Sequence, residues 1–486
     1  MKRITTTETI KYTDKEVRLC GWVNSRRDHG KLIFIDLRDR SGLVQIVFSP
    51  DHKPKIYESA QKLRSEWVIE IIGEVKKRPK GMENPKVKTG KIEIKAADLK
   101  ILAKAETPPF SIESDGYEIS ENKRLKYRYL DLRRRRLLKN LETRYNTLQY
   151  LRNSLGEKGF IEVETPILTK STPEGARDFL VPSRLEPGKF YALPQSPQQY
   201  KQMLMIAGIE KYFQVAIALR DEDPRADRQA EHTQLDIEMS FISQEDILDL
   251  IEKLFINLIR KLFPEKKIQQ IPFPRLEYKD SIKKYKTDKP DLRKDPEGKQ
   301  ASYGASKNNP DELAFAFIVN FPMFEWHPST SSGQVPKKGK WGAMHHPFTK
   351  PQTEDIEEIK KNPKKILANQ YDFVLNGCEI GGGSIRTTDL KMLSAVFEVL
   401  GHSPAETKEK FKNYFNAFQY GTPPHGGIAI GFDRFLSIIL KEPNIREVIA
   451  FPKTGDNRDL MMDAPSSVSK EQLKELHLKI TKEPQH

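Results

Sequence analysis

Five short segments of alternating apolar and polar residues follow one another within the first hundred or so positions: VRLCGWV (17–23), LIFIDLRD (32–39), GLVQIVF (42–48), WVIEIIGEV (67–75) and KIEIKAADLKIL (91–102). A period of two puts every second side chain on the same face of an extended strand. Strands this short, joined by short turns and interrupted by a single helical stretch at 56–65, predict a small closed barrel rather than an open sheet.

A barrel of this strand number is of the oligonucleotide-binding type, and the charge of the chain agrees with such a partner. Lys and Arg number 82 against 68 Asp and Glu, a net charge of +14. Clustered cations gain affinity for a polyanion by releasing its phosphate counterions, although a solvated lysine-rich surface gives the same sum. A chain of 486 residues exceeds one ordinary core and predicts two or three domains, and 37% hydrophobic residues exclude wholesale disorder. Cys20 and Cys378 lie far apart, so neither a disulfide framework nor a zinc site is supported, and both are expected to be buried, reduced thiols. The N-terminal MKRITTTETI lacks the apolar core of a signal peptide, and no run approaches the ~18 apolar residues of a membrane helix. A cytoplasmic protein with no membrane partner is expected.

The chain changes character near residue 105. The polar, proline-bearing TPPFSIESDG (107–116) reads as a linker, giving an expected barrel at 1–104, a hinge at 105–125 and a second domain of helices alternating with strands at 126–486. Within that domain Leu141, Tyr145, Leu148, Leu151 and Leu155 recur at helical spacing and predict an apolar, core-facing stripe. The stretch HPSTSSGQVPKKGKW (327–341) reads as a loop.

Charge concentrates in ALRDEDPRADRQAEHTQLDIEMSF (218–241), between the apolar KYFQVAIAL (211–219) and the alternating TQLDIEMSF (233–241). Such a hairpin delivers Arg220 from a strand end with Glu222 two residues on, where the two can clamp a phosphate beside a base edge. Alone it also fits a surface hairpin held by salt bridges. Three more segments accompany it: KGFIEVETPIL (158–168), read as a strand with Pro166 near its end; NGCEIGGGSIR (376–386), in which Glu379 and Arg386 flank three glycines; and GGIAIGFDRFLSIIL (426–440), a glycine-rich strand running into an apolar helix near Asp433 and Arg434.

In this order, KGFIEVETPIL, the charged hairpin and GGIAIGFDRFLSIIL resemble motifs 1, 2 and 3 of class II aminoacyl-tRNA synthetases. Further stretches are similar to bacterial-type aspartyl-tRNA synthetases: RLKYRYLDLRR (124–134), TPEGARDFLVPSR (172–184), ALPQSPQ (192–198), RDEDPRADRQ (220–229), FPMFEW (321–326), MHHPFT (344–349), EIGGGSIR (379–386), GTPPHGGIAIGFDR (421–434) and VIAFPKT (448–454). The resemblance runs from about residue 10 to APSSVSKEQLKELHLKI (464–480). It implies an α+β architecture, an oligonucleotide-binding (OB-fold) barrel followed by a catalytic domain on an antiparallel sheet flanked by helices. It also implies a homodimer built on motif 1, and a reaction in which L-aspartate and ATP form aspartyl-adenylate before the aspartyl group passes to tRNA.

Residue by residue, the resemblance places Arg220 on the α-phosphate and the aspartate carboxylate, and Arg434 at the far end of a bent ATP. Glu222 would read the adenine amino group, His232 would lie against the base, and Asp372 and Glu379 would bind Mg2+. Arg386 and Lys201 would hold the side-chain carboxylate of aspartate, and Asp236 and Gln198 its ammonium. Ser196 and Gln234 would line the pocket, Glu174 would lie in a lid, and one of His345 and His346 would touch substrate. On the barrel, Phe34 would stack on an anticodon base, Arg27 and Gln45 would read base edges, and Glu93 would accept from guanine. Arg225 and Arg228 are candidates for the acceptor end. The basic RLKYRYLDLRRRR (124–136) reads either as a tRNA contact near the hinge or as a solvated helix.

Three departures from the family pattern stand out. Between KPDLR (289–293) and FPMFEW only residues 294–320 occur, where most bacterial members carry a large inserted domain; these residues read as a turn and a strand. His232 stands where many relatives have phenylalanine. His29 in RRDHGKL and Gly81 in RPKGMENP match the relaxed members, which also aspartylate tRNA(Asn) and rely on an amidotransferase to make asparagine. The expected partners are therefore tRNA(Asp), tRNA(Asn), L-aspartate, a second copy of the chain and such an amidotransferase. A strictly tRNA(Asp)-specific enzyme, an asparaginyl enzyme and a catalytically silent tRNA-binding paralogue are the alternatives.

Overall fold

The computed structural model describes residues 1–171, 176–222, 228–293, 311–328 and 339–481. The chain divides into two compact units, Met1–Ser120 with Tyr129–Leu138, and Glu121–Arg128 with Lys139–His486.

The first unit is a closed five-stranded barrel. Strands β1 (Glu16–His29), β2 (Leu32–Asp39), β3 (Gly42–Phe48), β4 (Val68–Lys77) and β5 (Ile92–Ala103) follow the order β1-β2-β3-β5-β4, and β1 closes it by pairing with β4. The sequence alternation becomes the barrel's inside and outside: Ile33, Ile35 and Leu37 are buried while Leu32, Phe34 and Asp36 lie between them on the outer face. The helical stretch forms a shorter helix, Pro54–Ala60. Cys20 is only half-buried, because it occupies an outward position of β1 beside Glu70; Cys378 is buried as expected.

The second unit is built on an eight-stranded sheet. Its strands in chain order are β6 (Ile161–Glu162), β7 (Lys211–Leu219), β8 (Glu231–Ser240), β9 (Arg275–Glu277), β10 (Phe315–Val319), β11 (Gln370–Leu375), β12 (Cys378–Ile385) and β13 (His425–Gly431); across the sheet the order is β9-β10-β11-β12-β13-β8-β7-β6. The six inner strands are antiparallel, and only the edge pairs β9/β10 and β6/β7 are parallel. The expected strand in 158–168 shrinks to the two residues of β6, followed by an extended, exposed stretch carrying Pro166, Ile167 and Leu168. A proline cannot donate to a ladder, so pairing stops short of it.

One face of this sheet is apolar. Helix α3 (Gln244–Leu262) packs Ile247, Ile251, Leu254, Phe255, Leu258 and Ile259 against it, and Phe255 meets Phe373 and Phe435 edge to face at 5.0 and 5.1 Å. Removing a ring from such a site costs about 3–5 kcal/mol, because the cavity left behind adds to the lost transfer energy. The other face is polar, and β8 shows how the sequence divides them: Leu235, Ile237 and Met239 enter the core, while Gln234, Asp236 and Glu238 point the opposite way, all buried.

Helix α1 (Arg135–Gly156) corrects the expected stripe. Its buried positions are Leu137, Asn140, Thr147, Leu151 and Leu155, with Leu148 partly buried against the core, whereas Tyr145 is 64% exposed. Spacings of three and four place Asn140, Arg144 and Thr147 on the inner face, so the middle of that face, between Leu137 and Leu151, is polar. Three arginines of the basic stretch 124–136 are buried, while Lys126 and Arg135 remain exposed. Arg124 forms a buried bidentate pair with Glu447 at 3.0 and 2.7 Å, and Arg128 donates to the carbonyls of Arg446, Ile449 and Ala450. Arg134 pairs with Asp131 and donates to the carbonyls of Ser111 and Ser114. These guanidinium groups satisfy buried acceptors and are neither solvated nor presented to a partner.

Of the expected loop 327–341, His327, Lys340 and Trp341 belong to a hairpin of Phe324–His327 with Lys340–Ala343, and 329–338 lie outside the described residues. The same holds for 294–310 of the shortened segment, whose expected strand is β10. Among the described residues no helix is long and apolar enough to cross a membrane.

Candidate active site

The polar face of the sheet forms the floor of a cleft of about 400 Å³. Ser196, Gln198, Lys201, Arg220, Glu222, His232, Gln234, His345, His346, Asp372, Glu379, Arg386 and Arg434 all line it, although they come from stretches spread over more than two hundred residues. Asp236 lies just beneath, bonded to two of them. Glu174 and Arg225 lie outside the described residues; Arg228 lines the cleft 3.8 Å from Glu222.

At the closed end, four charges are buried together. Lys201, from helix α2 (Gln198–Ile206), donates to Asp236 at 2.7 Å and lies 3.6 Å from Glu238. Arg386 grips Glu238 bidentately at 2.9 and 3.0 Å and donates to Ser384 at 2.6 Å; Gln234 donates to the second oxygen of Asp236 at 2.6 Å. Glu238 is the residue that motif reading missed. It continues the period-two series Gln234, Asp236, which was the signal available in the sequence. Burial would raise its pKa, but Arg386 and Lys201 overcome this and hold it at about 2. Gly427 on the neighbouring strand makes the room: a Cβ there would stand 2.1 Å from the Glu238 carboxylate.

His346 accepts from the Phe348 amide through Nδ1 at 3.4 Å, which leaves the proton on Nε2, a buried donor with no partner among the described residues. Burial first, then the cations Arg386, Lys201 and Arg220, lower its pKa to about 3. His232 is lowered to about 4 by burial and by Arg220 and Arg434. Both rings are therefore neutral near pH 7. Below pH 6.5 the unfolded chain takes up protons that the folded cleft refuses, so stability is full above that pH and falls as pH drops toward 4, by about 1.4 kcal/mol per pH unit for each ring. Thermal unfolding between pH 7.5 and 5 should show this slope, and His346→Gln should make it shallower; an unchanged slope would remove the explanation.

At the open end, Arg434 on helix α4 (Phe432–Leu440) donates to the Glu379 carbonyl, and Arg220 donates to the Gln195 carbonyl at 3.3 Å. Asp372 and Glu379 lie on adjacent strands, and a bulge between Phe373 and Val374 turns Glu379 toward Asp372. Burial, then the charge of Glu379, raises the Asp372 pKa well above its ordinary value. Opposite Asp372 stands Gly382, where a Cβ would come within 3.1 Å of the Asp372 carboxylate. A pair of repelling carboxylates with cleared space above it fits a hard divalent cation. No cluster of three or more His, Cys, Asp or Glu ligands occurs among the described residues, so phosphate oxygens and water would complete the shell of such an ion.

His345 packs edge to face on Phe321 at 4.6 Å, 3.9 Å from Asp372. Gln195 missed notice in the sequence: its side chain bonds both backbone groups of Ala176 and the carboxylate of Asp178, while its carbonyl receives Arg220.

On the barrel, Arg27 donates to Asp36 at 3.0 Å and reaches Gln45 at 3.5 Å, and Gln45 donates to Glu93 at 3.1 Å. With outward-facing Phe34 these form one continuous patch on β1, β2, β3 and β5, to which Asp36 is an addition. His29, the last residue of β1, and Gly81, in the connection between β4 and β5, are exposed.

A nucleotide-sized cleft lined by paired carboxylates and arginines, on a largely antiparallel sheet, together with an oligonucleotide-type barrel, defines an enzyme of the class II synthetase kind. The comparisons agree. Residues 120–455 match the family of tRNA synthetases class II (D, K and N), and residues 17–102 match the OB-fold nucleic acid binding domain of the anticodon-binding type. Similar relatives are the aspartate–tRNA(Asp/Asn) ligases of Caldanaerobacter subterraneus, 43% identical with 97% of each chain covered, and of Thermoanaerobacter sp., 44% identical with 97% of each covered. The first of these alignments runs over 583 positions, more than the 486 residues of this chain, so that relative carries a segment this chain lacks. Among solved structures, an asparaginyl-tRNA synthetase from Pyrococcus horikoshii has a TM-score of 0.73 at 23% identity, covering 93% of this chain and 98% of its own, which shows a shared fold. The chain belongs to the class II tRNA synthetase family, an ATP-using family, and tRNA is its partner.

Proposed function

We propose that this chain attaches L-aspartate to tRNA(Asp) and also to tRNA(Asn). The observation that carries the choice of amino acid is the buried charge cluster. Lys201 and Arg386 pair with Asp236 and Glu238, and Arg220, which lines the same cleft and with them lowers the pKa of a neutral His346, adds a third cation to the two carboxylates. Aspartate, with one ammonium and two carboxylates, balances the remaining positive charge; asparagine would leave it unpaired in a buried site. The donors of Gln198 and His346, unpartnered among the described residues, supply ready partners for the substrate.

In activation, an oxygen of the α-carboxylate attacks the α-phosphorus, the new O–P bond forms and the bond to pyrophosphate breaks. The attacking group is already ionised, so no base is needed; the chain's task is to align the reactants and neutralise charge. Arg220 would neutralise the α-phosphate, Arg434 the far end of ATP, and Glu222 would accept from the adenine amino group. Asp372 and Glu379 would hold Mg2+, which would supply further neutralisation of the phosphates. In transfer, a hydroxyl of the terminal adenosine of tRNA attacks the aspartyl carbonyl and AMP leaves.

The anticodon reading assigns base stacking to Phe34, worth roughly 1–3 kcal/mol per base, and base-edge contacts to Arg27, Gln45 and Glu93. His29 and Gly81 support the relaxed specificity, which in turn calls for an amidotransferase that converts aspartyl-tRNA(Asn). A homodimer is supported by the exposed apolar residues Tyr145, Ile161, Ile167, Leu168 and Ile217 around α1 and the sheet edge at β6.

Charging of tRNA(Asp) and tRNA(Asn) transcripts with labelled aspartate, side by side, tests the proposal. Both are expected to be charged. Charging of tRNA(Asp) alone would discard the reading of His29 and Gly81, and charging with asparagine instead would overturn the choice of amino acid.

A further inference from the structure

Arg144 sits behind the wall of the cleft at its nucleotide end and touches that wall at several points. Its guanidinium donates to the carboxylate of Asp433, to the Thr233 hydroxyl at 2.7 Å and to the Val448 carbonyl at 3.3 Å, and it lies over the Phe432 ring at 5.1 Å. Thr233 and Asp433 line the cleft, as does Ile445 three residues before Val448; Arg144 itself does not.

The backbone explains why a clamp is useful here. The β8/β13 ladder ends at the pair Gln234 and Gly431, where the chain of β13 turns into helix α4. One residue beyond that pair on β8, the Thr233 amide finds no carbonyl of β13 and donates instead to the Asp433 carboxylate at 2.8 Å. A side chain thus carries the pairing past the end of the ladder, and Arg144 fixes that side chain together with the Thr233 hydroxyl. The immediate neighbours in sequence are His232 and Arg434, both lining the cleft. Asn140, one turn earlier on the same face of α1, donates to Glu442 at 2.6 Å and to the Glu447 carbonyl at 3.1 Å, so the helix holds this wall at two levels.

We propose that Arg144 is a positioning residue that sets the separation of His232 and Arg434, and through it the affinity for ATP. The assignment rests on the proposed function for the roles of those two residues. A planar fork reaching Asp433, Thr233 and Val448 fixes their mutual distance in a way a single ammonium cannot.

The test is aspartate-dependent ATP–pyrophosphate exchange on the full-length protein, with KM for ATP and for aspartate measured separately, alongside calorimetric titration of ATP with Mg2+ in the absence of aspartate. Arg144→Gln is expected to raise the ATP KM about tenfold or more, as displaced positioning contacts do, with the aspartate KM within about twofold. Arg144→Lys should fall between Gln and wild type. Thr233→Val, which removes only the hydroxyl acceptor and keeps the backbone bond to Asp433, gives a variant of nearly the same shape should Arg144→Gln unfold, and should weaken ATP alone by a few-fold.

Equal rises in both KM values, or a lowered Tm with ATP binding unchanged, would overturn the assignment and leave Arg144 a structural ion pair. Absence of exchange in the wild type would instead defeat the proposed function, and the calorimetric ATP affinities of wild type and variants would still decide the role of Arg144.

Discussion

Replacing Glu238 with glutamine is expected to lower the stability of the protein by about 3–5 kcal/mol, the cost of leaving one partner of a buried ion pair without its counter-charge. The isosteric amide keeps the shape and one acceptor, but Arg386 and Lys201 lose the negative charge they share. Asp236 still faces Lys201, so the deficit falls mainly on Arg386, which is 4% exposed and cannot recover it from water. Urea unfolding at pH 7 measures the loss. Because the carboxylate is held near pH 2 in the folded state, its contribution is complete above the ordinary glutamate pKa of 4.5 and disappears only as pH falls toward 2. The difference between wild type and variant should therefore be constant from pH 5 to 8; a difference below about 1 kcal/mol at pH 7 would mean that the pair contributes little.

Arg220→Gln is expected to reduce the rate of aspartate-dependent pyrophosphate exchange by about 10²–10³, the range found when a single preorganised donor to developing charge is removed. Arg220 reaches the cleft from the end of β7, anchored by its amide on the Ala230 carbonyl and by its Nε on the Gln195 carbonyl. Those anchors leave the terminal nitrogens to meet substrate. The loss should appear in kcat more than in the aspartate KM, since the charge it answers is greatest in the transition state. A variant that loses only affinity for aspartate, at full kcat, would move Arg220 from the reacting phosphate to the amino acid.

The barrel was legible because every strand but β3, where Val44, Gln45 and Ile46 are all buried, alternates over five or more residues, and closure followed from the brevity of the turns. The catalytic sheet was legible at β7, β8, β12 and β13, where charged or glycine-rich stretches adjoin apolar ones. Sequence reading failed where a helix was judged by its apolar residues alone. On α1, Tyr145 fits the helical spacing yet faces outward, while Asn140 and Arg144 occupy the inner face because the wall they meet is made of carbonyls, a hydroxyl and the carboxylates of Glu442 and Asp433. Arg124, Arg128 and Arg134 misled for a related reason: a run of cations reads as a surface, and only the fold supplies Glu447 and the distant carbonyls that bury them. Glu238 was hidden because chemistry was assigned motif by motif. Its partner Arg386 lies 148 positions away, and nothing local announces the pair.

Strand β8 lays its core residues Leu235, Ile237 and Met239 and its cleft residues Gln234, Asp236 and Glu238 on a single thread, one position out of phase. A deletion or insertion of one residue there would not trade activity for stability, as most damage to an enzyme does. It would send carboxylates into the phenylalanine-lined interior and leucine into the substrate's place, so along this strand fitness to fold and fitness to react are inherited together.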